Sequence, residues 1–153
     1  MVYGPHREGC DDHLDTCYDL STVSRLNFEK NNMQKLNQYR VGMYLILHYR
    51  EIRSEINLLI RKHNFAGALQ AVVNHLRVLS ADRNIDKLCR HIHFLGTLYN
   101  RGNHYVKYMM ENLFVRSLAG LKRIYSAEEW TRIEYRLPLS FLEIQKRQQQ
   151  AIY

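Results

Sequence analysis

The residues best suited to chemistry come early, in HREGCDDHLDTC, residues 6–17. His6, Cys10, His13 and Cys17 are spaced four, three and four apart, so in a helix they share one face. A helix rises about 1.5 Å per residue, which puts the first and last roughly 16 Å apart. Zinc needs its ligands within about 2.0–2.3 Å, so a helical stretch gives one ion two or three of these groups at most. A closed site needs a loop, which Gly4, Pro5 and Gly9 permit. Zinc motifs usually pair cysteines two to four residues apart, and this stretch does not. The better-supported reading is an acidic, loosely ordered leader over residues 1–20. Asp82, Asp86, Cys89 and His93 repeat the spacing on a helix of their own. Cys89 and His93 can reach one ion together, but they border an apolar stripe and read as residues at a core edge. No metal and no cofactor is expected.

Catalytic signatures are absent. There is no HExxH, GxSxG, phosphate-binding loop, CxxC or GxGxxG, and no glutamate followed three residues on by histidine. An Arg followed five to seven residues on by a His serves some small helical ribonucleases. Only Arg7 and His13 fit that spacing, and they fall in the leader. The expectation is therefore a protein that is not an enzyme.

The charge is more suggestive. The formal net charge is +7, yet residues 1–19 hold Glu8, Asp11, Asp12, Asp15 and Asp19 against Arg7 alone. The rest carries 21 Lys and Arg against 10 Asp and Glu, hence +11. A basic body of this kind can hold a polyanion. The candidates for a nucleic-acid-binding patch are Arg101, Lys107, Arg116, Lys122 and Arg123. Three of the eleven tyrosines precede arginine, at Tyr39-Arg40, Tyr49-Arg50 and Tyr135-Arg136. Such pairs can stack on bases and hold phosphates. They also mark an ordinary core edge, with the ring inward and the guanidinium in water.

The elements that must position these groups read as helices. Leu45, Tyr49, Ile52, Ile56 and Leu59 form one stripe and predict a long helix from about Leu36 to about His63. After a break at HNF (63–65) comes a second stripe, Phe65, Leu69, Val72, Leu76 and Leu79. SADRN (80–84) predicts a turn, and Ile85, Leu88, Ile92, Leu95 and Tyr99 a third stripe. NRGN (100–103) predicts a turn in which Gly102 takes the left-handed conformation and Asn103 caps the next helix. The fourth stripe is Val106, Met110, Leu113, Ser117, Leu121 and Ile124. Two capping boxes follow, Ser126 with Glu129 and Ser140 with Glu143, on either side of Pro138. Trp130, Ile133 and Leu137 give the helix between them its apolar face.

No stretch alternates like a strand, and no repeat of fixed period occurs. The fold expected is all-α: a single domain of five or six antiparallel helices, as a bundle or stacked helical hairpins. Its core spans 21–137, and a C-terminal helix over 138–153 frays at its end. The three cysteines, the 46% hydrophobic content and the lack of any long apolar run or signal-type start point to a cytoplasmic chain.

GNHYVKYMMENLFVRSLAGL (102–121) resembles a segment of small all-helical bacterial domains of unknown function, including Bacteroidetes and immunity-type proteins. In those, a turn Gly-Asn or Gly-Asp opens a helix with V-K/R and E-N before an apolar stretch. The resemblance implies a binding role, with no catalytic residues to carry over. The expected partner is another protein, with a second copy of the chain or a nucleic acid as alternatives and no membrane.

Overall fold

The chain was described from a computed structural model, which describes residues 34–152. Seven helices occur among them. They are α1 (Gln38–His48), α2 (Arg53–Arg61), α3 (Phe65–Ser80), α4 (Ile85–Arg101), α5, α6 (Ala127–Tyr135) and α7 (Leu139–Gln150). Helix α5 is continuous through His104–Met109, a π segment Met110–Val115 and Arg116–Lys122. No strand occurs among the described residues, only a single parallel bridge between Leu36 and Gly102. The acidic leader, its His6, Cys10, His13 and Cys17 and the Arg7–His13 pair lie outside the described residues.

The expected first long helix is instead two helices. Tyr49 (φ −101°, ψ 81°) leaves the helical region, Arg50–Ile52 make one tight turn, and α2 folds back along α1. Residues 42 and 60 then face each other, as do Tyr39 and His63. Gly42 permits the close approach: a Cβ there would lie 2.7 Å from Ile60 Cδ1. The stripe stays in phase across the break, and neither Gly nor Pro marks it, so spacing alone could not reveal it. Tyr49 is fully buried at the bend.

The turns at 63–65 and 80–84 form as expected. His63 and Arg83 take positive φ (58° and 56°), and Asn64 and Asn84 cap α3 and α4. At 100–103 the outcome differs. Asn103 does cap α5, accepting from the Val106 amide at 2.9 Å. Gly102 is extended (φ −74°, ψ 154°), not left-handed. It lies beside Leu36, whose amide donates to the Arg101 carbonyl and whose carbonyl accepts from the Asn103 amide, both at 2.8 Å. The tight space explains the glycine, since a Cβ would sit 2.5 Å from Val106 Cγ1.

The π segment shifts the expected fourth stripe by one residue. Val106 and Met110 are buried as predicted, but beyond them Phe114, Leu118 and Tyr125 are buried in place of Leu113, Ser117 and Ile124. The wider turn holds an extra residue, which restores the face after successive four-residue steps. Leu121 is buried in both readings. Helices α3 and α5 run side by side in the same direction. Phe65 meets Tyr105 at their starts (ring centroids 6.1 Å), and Arg77 lies over Gly120 near their ends.

Ser126 and Glu129 form the expected capping box on α6, and Trp130, Ile133 and Leu137 are buried. The second box does not form. Helix α7 starts at Leu139 after Pro138, so Ser140 lies inside it, and its Oγ is buried without a partner. Phe141 and Ile144 of α7 are buried. The Glu111 carbonyl in the π segment accepts from Gln148 at 2.9 Å, which ties α7 to α5.

Candidate binding surface

The five predicted cations fall into separate places. Arg101, at the end of α4, and Lys107, in the first turn of α5, are half-buried and lean on aromatic faces. The Arg101 guanidinium lies 6.0 Å from the Tyr44 ring centre, and Lys107 Nζ 5.4 Å from that of Tyr99. Both contacts are cation–π pairs. One Arg101 nitrogen, Nη2, is buried without a partner. Arg116, Lys122 and Arg123 are exposed near the other end of α5. Fifteen residues separate Lys107 from Lys122, or about 22 Å along a helix. Arg116 and Arg123 share a face, whereas Lys122 points roughly 120° away.

Asp82, Asp86, Cys89 and His93 do not converge. Asp82 lies in the turn before α4. Asp86 accepts from Arg136 Nη1 at 2.7 Å, and that hydrogen bond lowers its carboxyl below the usual range. Cys89 is buried, and burial pushes its thiol up, away from the reactive thiolate. Among the described residues no group of three or more His, Cys, Asp or Glu is placed to hold a metal ion.

Of the arginine-linked tyrosines, Tyr49 is core, Tyr39 is 46% exposed and Tyr135 is 90% exposed. Tyr39 is one of a group. Met43 follows it by one helical turn on α1, and Tyr105 and Tyr108 stand one turn apart on α5; they are 42%, 45% and 63% exposed. Tyr39 and Tyr105 line one cleft with Gln38, Ile60, His63 and Phe65. The Tyr39 ring is fixed there, since its hydroxyl lies 3.0 Å from His63 Nδ1 and the rings meet edge to face. Tyr39 and Tyr105 line this cleft, Met43 and Tyr108 lie one helical turn along from them, and the four are among the nine exposed large apolar side chains of the described residues.

A second group was invisible to spacing. His48 (α1), His75 (α3) and His91 (α4) meet around the buried Tyr49. His48 Nε2 lies 3.2 Å from His91 Nδ1, and the Tyr49 ring stacks on His91 with centroids 5.2 Å apart. Phe94 stacks on His48 at 3.8 Å, and Glu51 lies 3.7 Å from His75. Burial lowers His48 against the opposing pull of Glu51. Burial, with help from His48, His75 and Lys87, lowers His91 to about 4. The Tyr49 hydroxyl has no partner, and burial pushes it up. A neutral imidazole pair in an aromatic shell is a packing device here, joining α1, α3 and α4 at the bend. Tyr99 is also shifted: burial first, and the 2.6 Å bond it donates to Glu111, push it up to about 12.

The profile of the family described as "Domain of unknown function (DUF7674)" matches residues 43–151. The chain belongs to this family. Its range contains all of 102–121, and a domain of unknown function is the coarser part of what the resemblance of that segment implied. Nothing among the curated proteins and no solved structure matches the chain. The match starts inside α1, at Met43, and takes in the bend, the histidine cluster and every later helix. Among the described residues no helix is long and apolar enough to cross a membrane.

Proposed function

We propose that this DUF7674 domain is a non-enzymatic protein-binding module that engages its partner through the tyrosine-lined face of α1 and α5. The observation that carries the reading is that Tyr39 and Tyr105 line one cleft while Met43 and Tyr108 stand one helical turn along from them, all four more than 40% exposed. Tyrosine and methionine are enriched in protein interfaces. They supply large contact area, and tyrosine keeps a polar tip for hydrogen bonding. Tyr39, held by His63, loses little freedom on binding. The resemblance of 102–121 to immunity-type bacterial domains supports the same reading. Some of those pair with a toxin, and such a setting is cytoplasmic.

The test is affinity capture from a bacterial lysate followed by mass spectrometry. The native chain is compared with Tyr39→Asp/Tyr105→Asp/Tyr108→Asp and with a control, Leu58→Asp/Val78→Asp, at exposed sites elsewhere. A protein held stoichiometrically by the native chain and the control, and lost from the tyrosine variant, supports the reading. Equal retention by all three sets it aside.

A further inference from the structure

The far end of α5 carries a different surface. Arg116, Gly120 and Arg123 recur at four and three residues and lie within about 60° of one another around the helix. Gly120 gives this face no side chain. Across from it on α3, Arg77 places Nη2 3.4 Å from where a Gly120 Cβ would be. Ala119 beside it is small and exposed. The missing side chain at Gly120 thus leaves room for the Arg77 guanidinium to lie against α5, on the face that carries Arg116 and Arg123.

Among the described residues no carboxylate pairs with them. Helix α3 has no acidic residue, and neither does α5 beyond Glu111, which is engaged by Tyr99 and Arg147. The ion pairs among the described residues join Glu51 to His75, Arg83 to Glu129, Asp86 to Arg136 and Glu111 to Arg147; none includes Arg77, Arg116 or Arg123. Like charges set side by side without a counter-charge oppose folding, so packing alone gives no reason for the arrangement. Guanidinium groups suit phosphate oxygens, which they hold in a fixed fork. None of these residues is aromatic, so the face lacks the stacking platform that single strands use.

We propose that Arg77, Arg116 and Arg123, around Gly120, form a binding site for the phosphodiester backbone of a double-stranded nucleic acid. Phosphate contacts of this kind fix position and carry no base sequence, so binding should be independent of sequence. It lies at the opposite end of α5 from the tyrosine face and does not depend on that reading.

The test uses the full chain and fluorescence anisotropy with labelled 20-base-pair duplexes of DNA and of RNA, across a salt series. Arg77→Gln/Arg116→Gln/Arg123→Gln is compared with a control of equal charge change, Arg50→Gln/Arg61→Gln/Lys146→Gln, at exposed positions elsewhere. The expected result is at least a tenfold loss in the first variant only. The slope of log affinity on log salt should flatten by about 2–3, as fits three phosphate contacts. Gly120→Leu alters no charge and should weaken binding severalfold by displacing the Arg77 guanidinium from its place against α5. Equal loss in both triple variants, no duplex binding at 50 mM salt or full binding by Gly120→Leu overturns the proposal. So does tighter binding to phosphatidylserine vesicles that depends on the same three arginines, which would assign the face to a lipid surface.

Discussion

Acid should loosen this domain through His91. The ring stacks on Tyr49 and meets His48 nitrogen to nitrogen at 3.2 Å. In that pair one nitrogen must donate and the other accept, so at least one ring is neutral along the contact. Protonating both turns a hydrogen bond into a repulsion. The groups facing His91 are His48 from α1, Glu51 from the bend, His75 from α3 and Lys87 from its own helix; only Glu51 favours the charged form. The folded value falls to about 4, below the ordinary 6.5. Folding therefore favours the neutral ring. Its contribution is fully present above pH 6.5 and is lost as pH falls from 6.5 toward 4. A depression of that size corresponds to about 3 kcal/mol for a fully buried ring. The ring is half-buried, and allowing for solvent brings the figure to about 2 kcal/mol. Of this, about 1 kcal/mol should disappear between pH 7 and pH 5. For a domain of this size that is a fall in Tm of about 4 °C. His91→Phe keeps a ring against Tyr49 and removes the titration, while His48, also lowered, leaves a smaller slope of the same sign. Urea unfolding of both proteins at pH 7, 6 and 5 measures the difference. Equal pH dependence in the two proteins, or an NMR titration of His91 near 6.5, would refute the reasoning.

Three paired substitutions, each read by urea unfolding at pH 7, test other features. Gly42→Leu should cost about 2 kcal/mol by overpacking against Ile60, whereas Gly120→Ala, which meets only Arg77 Nη2, should gain about 0.5 kcal/mol from helix propensity. Ser126→Ala should cost about 1 kcal/mol through loss of the capping box, and Ser140→Ala should be neutral or stabilising because its hydroxyl is buried without a partner. Tyr49→Phe should stabilise by up to about 1 kcal/mol, since its hydroxyl has no partner, while Tyr99→Phe should cost about 1 kcal/mol by breaking the bond to Glu111. A reversed sign within any pair would show that the stated contact is not what sets stability there.

The helical class, the turns at 63–65 and 80–84, the Asn103 cap and the Ser126–Glu129 box were all legible in the sequence. All of these rest on interactions within a few residues: apolar spacing at 3.6, a side-chain oxygen reaching an amide three residues on, a compact turn. Most of the stripe residues are buried for the same reason. What escaped was set across longer distances. The bend at Tyr49 leaves the apolar spacing in phase, because periodicity reports which face is apolar and not the direction in which the chain continues. The π segment, accommodated by packing against α3 and α7, moved burial from Leu113 to Phe114. Gly102 is extended because Leu36, 66 positions away, bonds on either side of it. Ser140 and Glu143 have the spacing of a capping box, but Pro138 starts α7 early and leaves the serine inside the helix. The groupings that suggest function also arise in three dimensions. His48, His75 and His91 come from three helices, Tyr39 and Tyr105 from two, and Arg77 reaches Gly120 across a helix pair. Local spacing chose the residues that face inward. Only tertiary packing, which brings distant segments within a few ångströms, decided which of them meet.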